Sequence, residues 1–340
     1  MKRLNQRLSG IVLVCSLFFL MGCQAEQRQI EGKTMGTFYS VKYQPEKNTP
    51  DSALLQQEID KRLEQVNDQM STYRPDSELS RFNAMREINT PLTVSDATIK
   101  VINEARRIAA LSDNTLDITA GPLVNLWGFG PDKARDEAPS DALIKERMAW
   151  IGLDKLVVEG NQLMKRVPQL YLDLSAIAKG YGVDVVADYL ESEGITNYLV
   201  EIGGEVRAKG VNVKGEKWRI AIEKPDNDSQ MQVQRIISLD NQAVATSGDY
   251  KNFFEADGTH YSHTIDTKTG YPIENNIASL TVIMDSCMSA DGFATAFGVL
   301  GKEKALALAN KLDIAILIIS KTETGFEESY SAAFAPFIQE

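Results

Sequence analysis

Tyr171-Leu-Asp-Leu-Ser-Ala-Ile-Ala-Lys-Gly-Tyr-Gly-Val-Asp184 changes character halfway along. Residues 171–174 read as a short apolar strand, Ser175 is a natural helix N-cap, and a helix follows to about Leu190. Downstream, strands dominate: residues 195–202, 218–223, 233–239, 242–247 and 277–284 carry β-branched and alternating apolar character. Helices at 290–300 and 302–312 and a strand at 314–320 close the pattern. Upstream, Leu54, Leu55, Ile59, Leu63 and Val66 fall at helical spacing behind the start signal Asp51-Ser52, and residues 95–111 repeat the pattern. Residues 35–43 have strand content, residues 24–33 are polar and read as a tether, and residues 121–139 read as a loop rich in turn residues. Helices come early and strands late without βαβ alternation, which predicts a mixed α+β fold rather than a doubly wound sheet. The polar stretch 132–141 is the weakest joint.

The chain has 340 residues, 43% hydrophobic and 24% charged, enough for one large or two modest globular domains and unlike disorder, collagen or coiled coil. Its net charge of −11, with no basic run in the body, repels a nucleic-acid backbone and sets that partner aside. Lys2, Arg3 and Arg7 precede an apolar run from Ile11 to Leu20 that ends in Leu20-Met21-Gly22-Cys23. That pattern predicts a secretory signal over residues 1–22, cleaved to leave Cys23 as a lipidated N-terminus, with residues 23–33 as its tether. Removing three positive charges and no acid takes the body from −11 to −14. The mature chain is then expected to meet the membrane through its lipid alone, on the periplasmic side of a bacterial membrane. Gln24 after Cys23 favours sorting to an outer membrane, where there are two.

Cys15 leaves with the signal and Cys23 is acylated, so Cys287 has no intramolecular disulfide partner. With only His260 and His263 in the chain, a Cys/His zinc site lacks ligands, and a metal here is expected to be a hard cation held by oxygen. Neither a Walker loop nor a G-x-G-x-x-G motif occurs.

Four constellations could carry chemistry. In the opening stretch, Lys179 opposes the helix dipole and Gly180 and Gly182 weaken the helix by about 1 kcal/mol each relative to Ala. Either a phosphate is drawn to this helix start, or Lys179 is solvated and the glycines permit tight packing. Asp291 and Thr295, behind Ser289, share one helix face and offer part of a Mg²⁺ site that needs a third ligand, or Asp291 merely complements a helix dipole. His263 in Tyr261-Ser-His-Thr-Ile-Asp266 is either a hydrogen-bonded structural residue or the best-suited base in the chain at neutral pH. In Glu201-Ile-Gly-Gly-Glu-Val206, a glycine pair admits a flat ligand or marks a bulge.

Taken in order, these segments resemble the FAD:protein FMN transferases, the ApbE lipoprotein family, from Lys33-Thr-Met-Gly-Thr37 through Asp291-Gly-Phe-Ala-Thr295. The resemblance implies a mixed body of helices and mostly antiparallel sheet, residues 34–340, with the flavin between two subdomains. It implies Mg²⁺-dependent cleavage of FAD, attachment of FMN by a phosphoester to a Thr or Ser of a target flavoprotein, and release of AMP. Flavin contacts would fall on Met35, Tyr73, Thr115, Leu116, Asp117, Asp173, Lys179, His263 and Thr264. Metal ligands would be Asp291, Thr295 and the Ala176 carbonyl, with His263 as the catalytic residue. The acceptor implied is a respiratory flavoprotein, such as subunits of a sodium-pumping NADH:quinone oxidoreductase or a related electron-transfer complex. Two other readings use the same residues: a periplasmic flavin-binding lipoprotein without turnover, and a Mg²⁺-dependent FAD pyrophosphatase in which water replaces the acceptor hydroxyl.

Overall fold

Two tight turns frame one end of the sheet. Met35 and Gly36 both take positive φ, 50° and 73°, between the paired residues Thr34 and Thr37, and Gly203 and Gly204 do the same, at 61° and 107°, between the paired residues Ile202 and Glu205. Positive φ at both central positions gives the turn whose twist matches that of the strands it joins, which is why glycine recurs there. The computed structural model describes residues 26–131, 137–225, 233–248, 253–256 and 259–338; residues 1–22, read as a secretory signal, and Cys23 lie outside them.

The hairpin Arg28–Thr34 and Thr37–Tyr43 opens an eight-stranded sheet that continues through Tyr198–Ile202, Glu205–Lys209, Gln242–Gly248, Ile277–Met284, Ala315–Thr322 and Gly325–Tyr330. Every neighbouring pair is antiparallel, as the resemblance implied. Between residues 43 and 198 the chain leaves the sheet. It forms the helices Ser52–Met70, Glu78–Ala84, Asp96–Leu111, Gly121–Leu126 and Asp141–Met148, a three-stranded sheet, and the helix Ala178–Ser192.

One face of the large sheet buries Val41, Tyr43, Val200 and Ile202 against Leu55, Ile59 and Leu63 of helix 52–70 and Val183, Val186 and Leu190 of helix 178–192. Further along it, Leu280, Val282, Ile316 and Ile318 pack with Phe293 and Phe297 of the helix Cys287–Leu300 and with Ala305 and Ala309 of the helix Lys302–Leu312. The opposite face, through Val206, Val244, Ile283 and Leu317, is covered by the ribbon of Trp218–Glu223 and Val233–Leu239 and by Phe334. A smaller cluster joins Leu123, Leu126, Trp127, Ile144, Ile151 and Ile265, and Trp127 Nε1 donates to the Gly270 carbonyl at 2.9 Å. Residues on both sides of the stretch 132–141 thus share one apolar cluster; residues 132–136 are outside the described set. Among the described residues, no helix is long and apolar enough to cross a membrane.

Several elements differ from the sequence reading. The polar stretch read as a tether through Lys33 is ordered from Arg28 as an edge strand: Ile30 and Thr34 turn inward, and the ladder to Thr37–Tyr43, rather than apolar content, fixes it. The loop at 121–139 contains the helix Gly121–Leu126, because a proline near a helix start and a proline in a turn look alike in sequence. Residues 171–174, read as a short strand, belong to no strand. Leu172 and Leu174 are buried, while Asn83 supplies the hydrogen bonds a neighbouring strand would: Leu172 N–H donates to Asn83 Oδ1 at 2.7 Å and Asn83 Nδ2 donates to Leu172 O at 2.9 Å. Ser175 does not cap the next helix, which begins at Ala178; its N–H donates to Asp173 Oδ1. The cap of helix 287–300 is Ser286, whose Oγ accepts from Ser289 N–H, and not Ser289 itself.

Candidate active site

The first turns of helices 178–192 and 287–300 meet because residue 180 has no side chain. A Cβ there would lie 2.3 Å from the Cys287 carbonyl oxygen and 2.8 Å from Asp291 Cβ. Gly182 likewise lies under Met35 Sδ and Ile202. Both glycines therefore serve packing, while Lys179, read in that same alternative as solvated, pairs instead with Glu205 in the cavity lining. In the gap left by Gly180, its N–H donates to Asp291 Oδ2 at 2.9 Å. Asp184, one turn on, binds the start of the facing helix: its carboxylate accepts from Cys287 N–H, Met288 N–H and Ser286 Oγ, and from Arg207, which also bridges Asp188 and Glu191.

This junction forms the floor of a cavity of about 960 Å³. Its lining brings together Tyr73, Thr115, Leu116, Asp117, Asp173, Ala176, Lys179, His263, Thr264, Asp291 and Thr295, eleven of the residues singled out in the sequence, contributed by the helix–sheet body and by the segments around Trp127 and Ile265. Met35 is not in the lining: it sits in the first turn with its side chain packed against the two inner clusters. Asp117 Oδ1 accepts from the N–H and hydroxyl of Thr119, a local turn, and burial pushes its carboxyl up. Thr115 Oγ1 donates to the Ser112 carbonyl at 2.9 Å. His263 is half-buried just before the short strand Ile265–Asp266, its ring edge-on to Phe129 at 6.4 Å.

The structure adds Glu205 to the sequence-derived set. Glu201-Ile-Gly-Gly-Glu-Val is not a bulge: the glycine pair breaks the strand as a two-residue hairpin turn and lines the cavity, so Glu205 faces Ile202 directly and points to the same, inner side. Turn length and strand alternation together could have revealed an inward carboxylate there. Glu205 is 2% exposed; its Oε1 accepts from Lys179 Nζ at 2.5 Å, and its buried Oε2 has no hydrogen-bond partner. Burial pushes the Glu205 carboxyl up, and burial together with Glu205 pushes Asp291 up to about 7. Lys179 is pulled down by burial but raised further by Asp291 and Glu205, and stays protonated.

Two buried carboxyls, both raised, share one ammonium, and Glu205 Oε2 is an acceptor without a donor. Both features suit a divalent cation. Among the described residues no three His, Cys, Asp or Glu side chains form a metal cage. A carboxylate, a hydroxyl and a backbone carbonyl, leaving positions for water and phosphate, is the incomplete set that Mg²⁺ accepts.

A helix-backed antiparallel sheet thus carries a wide cleft whose lining includes His263, Lys179 and the oxygens of Asp291 and Thr295. The ApbE family model matches residues 35–318, and the chain belongs to that family. An FAD:protein FMN transferase of Vibrio cholerae is 54% identical over 330 residues, 96% of this chain and 98% of the relative. One of Haemophilus influenzae is 47% identical, covering 97% of this chain and 98% of the relative. The solved structure of flavin transferase ApbE from Vibrio cholerae superposes with a TM-score of 0.86 at 53% identity, covering 92% of this chain and 99% of that one.

Proposed function

We propose that this chain is an FAD:protein FMN transferase. The observation that carries the reading is that one cavity gathers His263, Lys179, Asp291, Thr295, Ala176 and the residues matched to flavin contacts, in a chain 54% identical to such a transferase over nearly its full length.

The acceptor is a Thr or Ser hydroxyl of a target flavoprotein. Its oxygen attacks the FMN-side phosphorus of the FAD pyrophosphate; a new P–O bond forms, the bond to the AMP phosphate breaks, and AMP leaves. His263 takes the hydroxyl proton, a role suited to an imidazole at neutral pH. Asp173, Asp117 and Thr115 line the region that orients the nucleotide, and Lys179 places a positive charge at the cleft floor. Asp291, Thr295 and the Ala176 carbonyl would hold Mg²⁺, which supplies charge neutralisation to the pyrophosphate and the departing AMP. The cleft orients hydroxyl and phosphate together, so positioning and charge do most of the work.

Subunits of a sodium-pumping NADH:quinone oxidoreductase or a related electron-transfer complex are the acceptors that fit this reading. The basic flank, the apolar run and Gly22-Cys23 support a lipid anchor on Cys23 and a site of action on the periplasmic side of the membrane. His263→Asn tests the assignment of the base. The variant is expected to bind FAD within about twofold of the parent and to lose roughly 10²–10⁴-fold in transfer; undiminished transfer refutes the role.

A further inference from the structure

Glu205 has no task in the transfer chemistry described so far. Its position is nevertheless built by three elements. The hairpin turn fixes it opposite Ile202, Lys179 of helix 178–192 holds Oε1 at 2.5 Å, and helix 287–300 brings in Asp291, whose Oδ2 is tied to Gly180 N–H at 2.9 Å. The second oxygen, Oε2, is sealed from solvent and accepts no hydrogen bond, although the residue lines the cavity. A buried carboxylate oxygen without a donor is disfavoured, and native structures keep one where a ligand completes it.

We infer that Glu205 is a ligand of the divalent cation, giving Oε2 to the ion that Asp291 binds, with Lys179 as the counter-charge that fixes the carboxylate before the ion enters. The inference rests on the cation-dependent reading of this site. Without the ion, two carboxylates face one ammonium. With it, Oε2 gains the partner it lacks, while Oε1 keeps its bond to Lys179. A carboxylate shared between a cation and a fixed hydrogen-bond donor is the usual way such ligands are oriented. Glu205 is the pivot of the site, and Lys179, one bond away, tunes the affinity by repulsion.

The test is Mn²⁺ binding to the mature protein without FAD, followed by the loss of the free-ion electron paramagnetic resonance signal, so that turnover plays no part. Glu205→Gln keeps size and an acceptor oxygen but removes the charge, and is expected to weaken Mn²⁺ binding by about 10- to 100-fold. Lys179→Met removes the opposing ammonium and is expected to tighten it several-fold. Mn²⁺ affinity of Glu205→Gln within twofold of the parent overturns the inference and leaves the cation reading intact. A parent protein that takes up no Mn²⁺ overturns both. Should Glu205→Gln fail to fold, Glu205→Asp decides: it keeps the charge but withdraws the carboxylate by one methylene, so clearly weaker Mn²⁺ binding supports the inference and binding within twofold of the parent overturns it.

Discussion

Lys165 shows how far burial governs single residues in this protein. It is fully buried on the strand Gln162–Lys165, donates to the carbonyls of Asn83 and Met85 at 3.1 and 2.9 Å, and lies over the Phe82 ring. Burial, with Arg86 nearby, lowers its ammonium to about 8. Between pH 8 and the ordinary lysine value near 10.4, the unfolded chain holds a proton that the folded chain has released, so folding stability gains with rising pH over that window. Denaturant titrations at pH 7, 8, 9 and 10 are expected to show the parent gaining on Lys165→Met above pH 8; a constant difference between them contradicts the account. The site residues were more legible than this one. Residues with a motif around them, such as Asp173, His263 and Asp291, are found in the cleft. Glu205 and Asp184 were not singled out, because an inward acid is recognisable only after turn length or helix contact fixes its direction.

At the scale of elements, two residues hold helices 178–192 and 287–300 together. Gly180→Ala would set a methyl group 2.3 Å from a backbone oxygen that cannot turn aside. The helices must part, at about 1–3 kcal/mol, against a gain of about 1 kcal/mol in helix propensity. Equilibrium unfolding is expected to show net destabilisation; a variant stabilised by the full propensity gain contradicts the close contact. Asp184→Asn replaces the carboxylate that caps helix 287–300 and pairs with Arg207, and is expected to cost about 2 kcal/mol, read from the denaturant midpoint at unchanged slope. A loss under 0.5 kcal/mol contradicts the capping role. Helices with strong apolar spacing, 52–70 and 96–111, were legible almost to the residue. Residues 171–174 and the edge strand 28–34 were misread because their state depends on what lies beside them: an asparagine side chain in one case, a hairpin partner in the other.

For the molecule as a whole, the order of helices and strands was enough to predict a mixed α+β body, and the antiparallel sheet agrees. The sequence could not show that strand 37–43 waits for strand 198–202, with the intervening helices folded across one face, since pairing at that separation leaves no local pattern. That excursion creates the cleft: it carries Tyr73, Thr115 and Asp173 away from the first hairpin and returns Lys179 beside Glu205 and Asp291. The central claim concerns what this cleft does with FAD. Residues 24–340 of the chain, FAD, Mg²⁺ and the soluble domain of a flavinylated subunit from a sodium-pumping NADH:quinone oxidoreductase should be incubated together, with acceptor mass and nucleotide products followed in the same samples. The account predicts an acceptor heavier by one FMN, one AMP released for each label, and neither product once the cation is chelated. FMN and AMP both free in solution, or FAD held intact beside an unlabelled acceptor, would contradict it.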